Sequence, residues 1–125
     1  MILLNDFYFI RSIDVNDTNI SAELEFKVDH DIFKGHFPAM PVVPGVCMMQ
    51  IVHEIVERET GSAKRVREVQ QMKFLTLINP QVSHKVKLAL SYTITEHNMV
   101  RVTASLLNEG VVYFKFKGDF VNEGQ

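Results

Sequence analysis

Phe33-Lys34-Gly35-His36-Phe37-Pro38-Ala39-Met40-Pro41-Val42-Val43-Pro44-Gly45-Val46 is the stretch whose reading decides the fold. Prolines at 38, 41 and 44 fix φ and push each preceding residue out of helical geometry, so the segment reads as an extended, stiff loop. Such a loop can hold a side chain still. His36 sits between Gly35, which lets the backbone pass close to a neighbour, and Phe37-Pro38, which restrict the turn after it. Beyond Pro44-Gly45 the pattern changes to Val46, Cys47, Met48, Met49, Ile51, Val52, Ile55 and Val56, with Gln50, His53, Glu54 and Glu57 interleaved at helical spacing. The histidine loop therefore runs into the first turn of a helix over about 46–60, which Gly61 ends in the C-terminal stop position.

Eight of the eleven residues from Val46 to Val56 are apolar, too many for one stripe, so this helix is meant to be enclosed. Its polar residues Gln50, His53, Glu54 and Glu57 recur at three, four and seven positions and share one face, which either leaves the sheet or lines a site. Upstream, residues 6–13 read as a strand and Asn16-Asp17-Thr18-Asn19 as a turn. Over 21–28, Ala22, Leu24, Phe26 and Val28 alternate with Glu23, Glu25 and Lys27 as in a half-buried strand. Downstream, residues 66–77 are mixed, and Asn79-Pro80 separates them from three alternating runs. These runs are residues 85–95, the set Val100, Val102, Ala104 and Leu106, and the set Val112, Phe114, Phe116 and Phe120. Turns at Glu96-His97-Asn98 and Asn108-Glu109-Gly110 join them into a meander. Two strands, one helix and four strands make an α+β domain over 1–125, a curled antiparallel sheet wrapped around one long central helix.

The chain has 125 residues, enough for one domain with a real core, and 46% apolar content is ordinary for a folded protein. A net charge of −2, with both signs scattered, offers no basic stripe, so nucleic acid is not an expected partner. The lone Cys47 excludes an intrachain disulfide and fits a reducing compartment. No long apolar span or signal-like start is read, because Asn5 and Asp6 interrupt the opening residues; a cytoplasmic location with no membrane span is expected.

The run Gly35-His36-Phe37-Pro38, then Pro41, then Pro44-Gly45-Val46 entering a long apolar helix, resembles the 3-hydroxyacyl-acyl-carrier-protein dehydratases of bacterial fatty-acid synthesis, which have the hotdog fold. The likeness extends to the strands before the loop, the Lys73-Phe74 strand entering Asn79-Pro80, and the final hairpins. It implies a lyase of fatty-acid or related acyl-chain synthesis, in which His36 removes the α-proton of a (3R)-hydroxyacyl thioester at a dimer interface. An imidazole suits that task, since it accepts a proton at neutral pH. Backbone N–H groups around Gly45 and Val46 can face the developing enolate oxygen. Substrate contacts are expected from Gly45, Val46, Phe37, Pro44, Met40 and Met49, although Gly45 reads equally well as simple loop-to-helix entry.

One departure matters. The resemblance places a carboxylate from the partner subunit at the position of Gln50, and an amide has no titratable proton to give. Glu54 lies one turn later on the same face, about 5.4 Å away, as if carboxylate and amide were exchanged. The resemblance thus makes His36, Gln50 and Glu54 the catalytic candidates. It also leaves open a non-catalytic acyl- or carrier-binding protein, the inactive half of a heterodimeric dehydratase, or an acyl thioesterase. The substrate would be a thioester of acyl-carrier protein or coenzyme A.

Other residues have plainer readings. Cys47 reads as an inert core thiol, and His53 as part of a polar face. His30, His84 and His97 show no metal-ligand spacing, and proton transfer needs no metal or organic cofactor, so none is expected. Met40, Met48, Met49 and Phe33 fit either an acyl tunnel or ordinary core. Lys64, Arg65 and Arg67 form either a docking patch for an acidic carrier or a solvated strand edge. A sheet around one helix leaves an open edge, so a homodimer, or a heterodimer with a related subunit, is expected.

Overall fold

The computed structural model describes residues 2–35 and 41–124; His36, Phe37 and Met40, with the middle of the histidine loop, lie outside the described residues. The elements are β1 (Tyr8–Asn16), β2 (Asn19–Phe26), α1 (Asp31–Lys34), α2 (Gly45–Thr60), β3 (Lys64–Phe74), β4 (Lys85–Ile94), β5 (Val100–Asn108) and β6 (Val111–Asn122). All six strands form one antiparallel sheet in the order β1-β2-β4-β5-β6-β3. The chain crosses by way of α2 from the β1 side of the sheet to its far edge at β3.

Strand alternation puts one residue set inside. Leu24, Leu88, Leu106, Phe114, Phe116 and Phe120 are fully buried, and Cys47, Met48, Ile51, Val52, Ile55 and Val56 of α2 join them in one core. Each such aliphatic or aromatic side chain contributes about 1.5–3 kcal/mol on leaving water. α2 has 16 residues and begins after Pro44, whose extended backbone (φ −61°, ψ 144°) acts as N-cap. It ends at Gly61 in the left-handed region (φ 78°), whose N–H reaches Glu57 O.

Three features differ from the sequence expectation. The loop is not wholly extended, because Asp31–Lys34 form one helical turn capped by His30. β1 runs on to Asn16, since the connection to β2 is the two-residue turn Asp17-Thr18, with Asp17 at φ 58°. Val28 falls beyond β2 and is exposed rather than in the core. The sequence also gave no role to residues before 6, yet Leu3 is buried and packs with Phe7 in the core.

Candidate active site

Both described ends of the histidine loop are anchored. On the near side, His30 Nδ1 accepts the Ile32 N–H at 3.0 Å and its Nε2 donates to Asp6 Oδ2 at 3.0 Å, so the ring is in one neutral tautomer. Phe33 is buried against Phe7, with ring centroids 5.1 Å apart. On the far side, Pro41, Val42 and Val43 are buried, and the Val43 N–H donates to Ile78 O at 2.9 Å. A hollow of about 420 Å³ lies beside these anchors, lined by Phe33 and Lys34 before the histidine, Pro41 after it, and Val28, Asp29 and Gln81.

The start of α2 faces outward. Cys47 and Met48 N–H donate to Pro44 O, while the Gly45 and Val46 N–H groups find no acceptor among the described residues. Val46 is exposed and Met49 half-buried at the edge of the core. A Cβ on Gly45 would sit 2.8 Å from Phe74 Cε1, so the glycine lets the β3 phenylalanine lie over the helix start without its ring having to shift. Phe74 in turn stacks on Phe114 at 5.1 Å.

Gln50 and Glu54 are joined. Gln50 Nε2 donates to Glu54 Oε2 at 2.9 Å, one turn along the same face. The Leu3 N–H donates to that oxygen at 2.7 Å. Glu54 Oε1 accepts the Leu4 N–H at 2.8 Å and the Tyr8 hydroxyl at 3.1 Å. Four donors therefore converge on one buried carboxylate, which pins the N-terminal segment to the helix. Burial, and then the Glu54 charge, hold the Tyr8 phenol well above the usual tyrosine range. The Gln50 amide is consequently turned with its carbonyl away from Glu54.

The remaining polar residues of this face are also engaged inside the fold. The His53 Nε2–H donates to Lys64 O at 2.7 Å, and Glu57 Oε2 accepts the Lys64 N–H at 2.8 Å, tying the helix to the start of β3. Lys64 itself is buried, its ammonium bound to Ser62 Oγ and Asn122 Oδ1, which removes it from the basic surface patch read in the sequence. Cys47 is buried, and burial followed by the Glu54 charge pushes its thiol up to about 11. Sequence reasoning missed Leu3, Leu4 and Tyr8 as partners of Glu54; the apolar pairs Leu3-Leu4 and Phe7-Tyr8 were the available signal.

Similarity to known proteins fits this architecture. The 3-hydroxyacyl-[acyl-carrier-protein] dehydratase FabZ of Lactococcus lactis subsp. cremoris (strain SK11) is 42% identical over 40 residues, 32% of this chain and 28% of that protein. The corresponding enzyme of Acinetobacter baylyi is 31% identical over 45 residues, 36% of this chain and 30% of that protein. The matched stretch is thus less than a third of either relative. Among solved structures, the dehydratase heterocomplex ApeI:P of Xenorhabdus doucetiae superposes with a TM-score of 0.68 at 18% identity, covering 91% of this chain and 97% of that one. A thioesterase from Haemophilus influenzae gives 0.56 at 16% identity, covering 94% and 80%. At these identities the likeness is one of fold, and the fold is the hotdog. No helix among the described residues is long and apolar enough to cross a membrane. Residues 12–115 match the family described as ApeI dehydratase, and the chain belongs to this ApeI-like dehydratase family.

Proposed function

We propose that this protein removes water from a (3R)-hydroxyacyl thioester of acyl-carrier protein or coenzyme A, with His36 as the base. The observation that carries the reading is the Gly35-His36-Phe37-Pro38 run, feeding through Pro44 into an α2 start whose first N–H groups have no acceptor among the described residues, within a dehydratase-family match. His36 takes the α-proton. The Gly45 and Val46 N–H groups meet the oxygen on which enolate charge develops. Phe37, Met40, Pro44 and Met49 contact the acyl chain.

The departing hydroxyl needs a proton. Gln50 has none to give, and each Glu54 oxygen already holds two donors. The proton His36 has just gained is therefore the one delivered to the hydroxyl: the Cβ–O bond breaks, water leaves, and the imidazole returns to neutral. Gln50 of the partner subunit lies beside that hydroxyl and positions it through its amide. The missing carboxylate also supports a second reading, an acyl-binding or inactive subunit whose catalytic partner is a related chain.

Hydration of a short enoyl thioester, the reverse reaction, tests both. Wild-type turnover that falls at least about 10²-fold in His36→Ala supports the dehydratase reading. No turnover in the wild type favours the inactive subunit. Folded Glu54→Gln with turnover lost as completely as in His36→Ala would make Glu54 the acid instead. Gln50→Glu should raise a slow rate, because a second carboxyl beside Glu54 cannot ionise freely and retains a proton near neutral pH.

A further inference from the structure

We infer that His30 is a positioning residue for the loop that carries His36, and that it serves only while its ring is neutral, so that acid releases the start of the loop. The inference rests on the reading of His36 as base, and it adds a residue and a pH response that the reaction itself does not require.

The chain enters the histidine loop from α1, a single turn over Asp31–Lys34 followed by Gly35. One turn does not stand by itself, because ordering its residues costs more than its first hydrogen bond returns. α1 is held at two points. Phe33 is buried, with its ring 5.1 Å from that of Phe7. His30 is the other. Its backbone is extended (φ −62°, ψ 144°), its N–H donates to Lys27 O at 3.1 Å, and its carbonyl accepts the Phe33 N–H at 3.1 Å.

The His30 ring completes the cap and is itself fixed from three sides. Nδ1 accepts the Ile32 N–H at 3.0 Å, Nε2–H donates to Asp6 Oδ2 at 3.0 Å, and Phe7 packs edge-on with centroids 5.3 Å apart. Only 13% of the side chain is exposed. The two nitrogens cannot exchange roles: a backbone N–H only donates, so Nδ1 carries no proton.

The residue type then matters. Asparagine, aspartate and serine lead at helix N-caps, and histidine does not. An asparagine would cap at any pH, whereas an imidazole stops accepting once charged, and imidazoles gain that charge between about pH 5 and 8. Protonation of Nδ1 sets two donors against each other at the helix start. Among the described residues the Ile32 N–H has no second acceptor to turn to.

The surrounding charges do not relieve this. Asp6, on the N-terminal segment, touches the ring and attracts the imidazolium, which keeps the ring where the two donors meet. Lys27 and Asp29 precede it after β2, and Asp31 and Lys34 pair with each other across α1 at 3.5 Å. His84 lies just before β4, its carbonyl accepting the Phe26 N–H.

Solvent exchange of the Ile32 amide, measured by NMR on full-length wild type, His30→Asn and His30→Ala between pH 8 and 5, tests this without any activity measurement. Relative to the unfolded-chain rate at each pH, wild-type protection should fall about fivefold on acidification, the worth of one cap. His30→Asn should stay protected throughout, and His30→Ala should be unprotected at every pH. The Ile51 amide in α2 should stay protected in all three, showing that the fold is intact. In enoyl-thioester hydration at pH 8, His30→Ala should lose about fivefold in kcat and His30→Asn should recover most of it; the ratio of His30→Asn to wild-type rate should rise as pH falls. Wild-type protection that ignores pH, a fall of equal size in His30→Asn, or a His30→Ala rate equal to that of an active wild type would overturn the inference. An inactive wild type with an acid-sensitive Ile32 amide would overturn the dehydratase reading and leave the acid release of α1 standing.

Discussion

Replacing Glu54 by glutamine turns one of two fully used acceptors into a donor, facing either Leu3 N and Gln50 Nε2 or Leu4 N and Tyr8 Oη. Hydrogen bonds to charged groups contribute about 1.5–3 kcal/mol, so Glu54→Gln should cost roughly 3 kcal/mol in urea unfolding, most of it by freeing the N-terminal segment. The neighbouring groups set an alkaline limit. Cys47 and Tyr8 both titrate above their ordinary values of 9.0 and 10.0. The unfolded chain therefore releases these protons first, and stability is intact below pH 9. The Cys47 share is lost as pH rises from 9 to about 11 and the Tyr8 share from 10 upward, each with a slope of up to about 1.4 kcal/mol per pH unit. Cys47→Ala and Tyr8→Phe should be less stable at pH 8 yet flatter between pH 9 and 11; a slope unchanged from wild type would contradict this. The thiol's inertness was legible from its apolar neighbours. The four donors on Glu54 were not, because three come from residues about 50 positions away and periodicity carries no long-range pairing.

Glycine 118 explains why β6 lies so close to the bulged part of β3. A Cβ there would be 2.7 Å from the Glu68 carbonyl oxygen and 2.6 Å from Phe116 Cζ. Backbone cannot swing aside, so Gly118→Ala should cost about 2–3 kcal/mol and disturb β3–β6 pairing, seen as early amide exchange along β3. Gly45→Ala meets the outer end of the half-exposed Phe74 ring, which can rotate away, and should cost about 1 kcal/mol through the lost stack on Phe114. The elements themselves were readable: α2 and β4 to β6 lie where alternation and turn residues put them, within about two residues. β3 resisted because two bulges break its alternation, and α1 because a single turn has no periodicity to detect.

On the scale of the molecule, the sequence conveyed one sheet enclosing one helix but not which edge stays open. Strand order depends on where the crossover after α2 lands, and β3 paired with β6 rather than with its neighbour β4. That landing sets the helix start beside Phe74 at the open edge, where a second chain can bring its own histidine loop. If the site is built from two chains, His36 comes from one and Gln50 from the other. Inactive His36→Ala and inactive Gln50→Ala proteins, unfolded together and refolded, should then regain activity: half of the random dimers are mixed, and each mixed dimer has one intact site, giving about a quarter of the wild-type rate. A site contained in one chain predicts no recovery at any mixing ratio. The recovered rate should also disappear when the mixture is diluted below the dimer dissociation constant, at the same concentration at which sedimentation shows monomer.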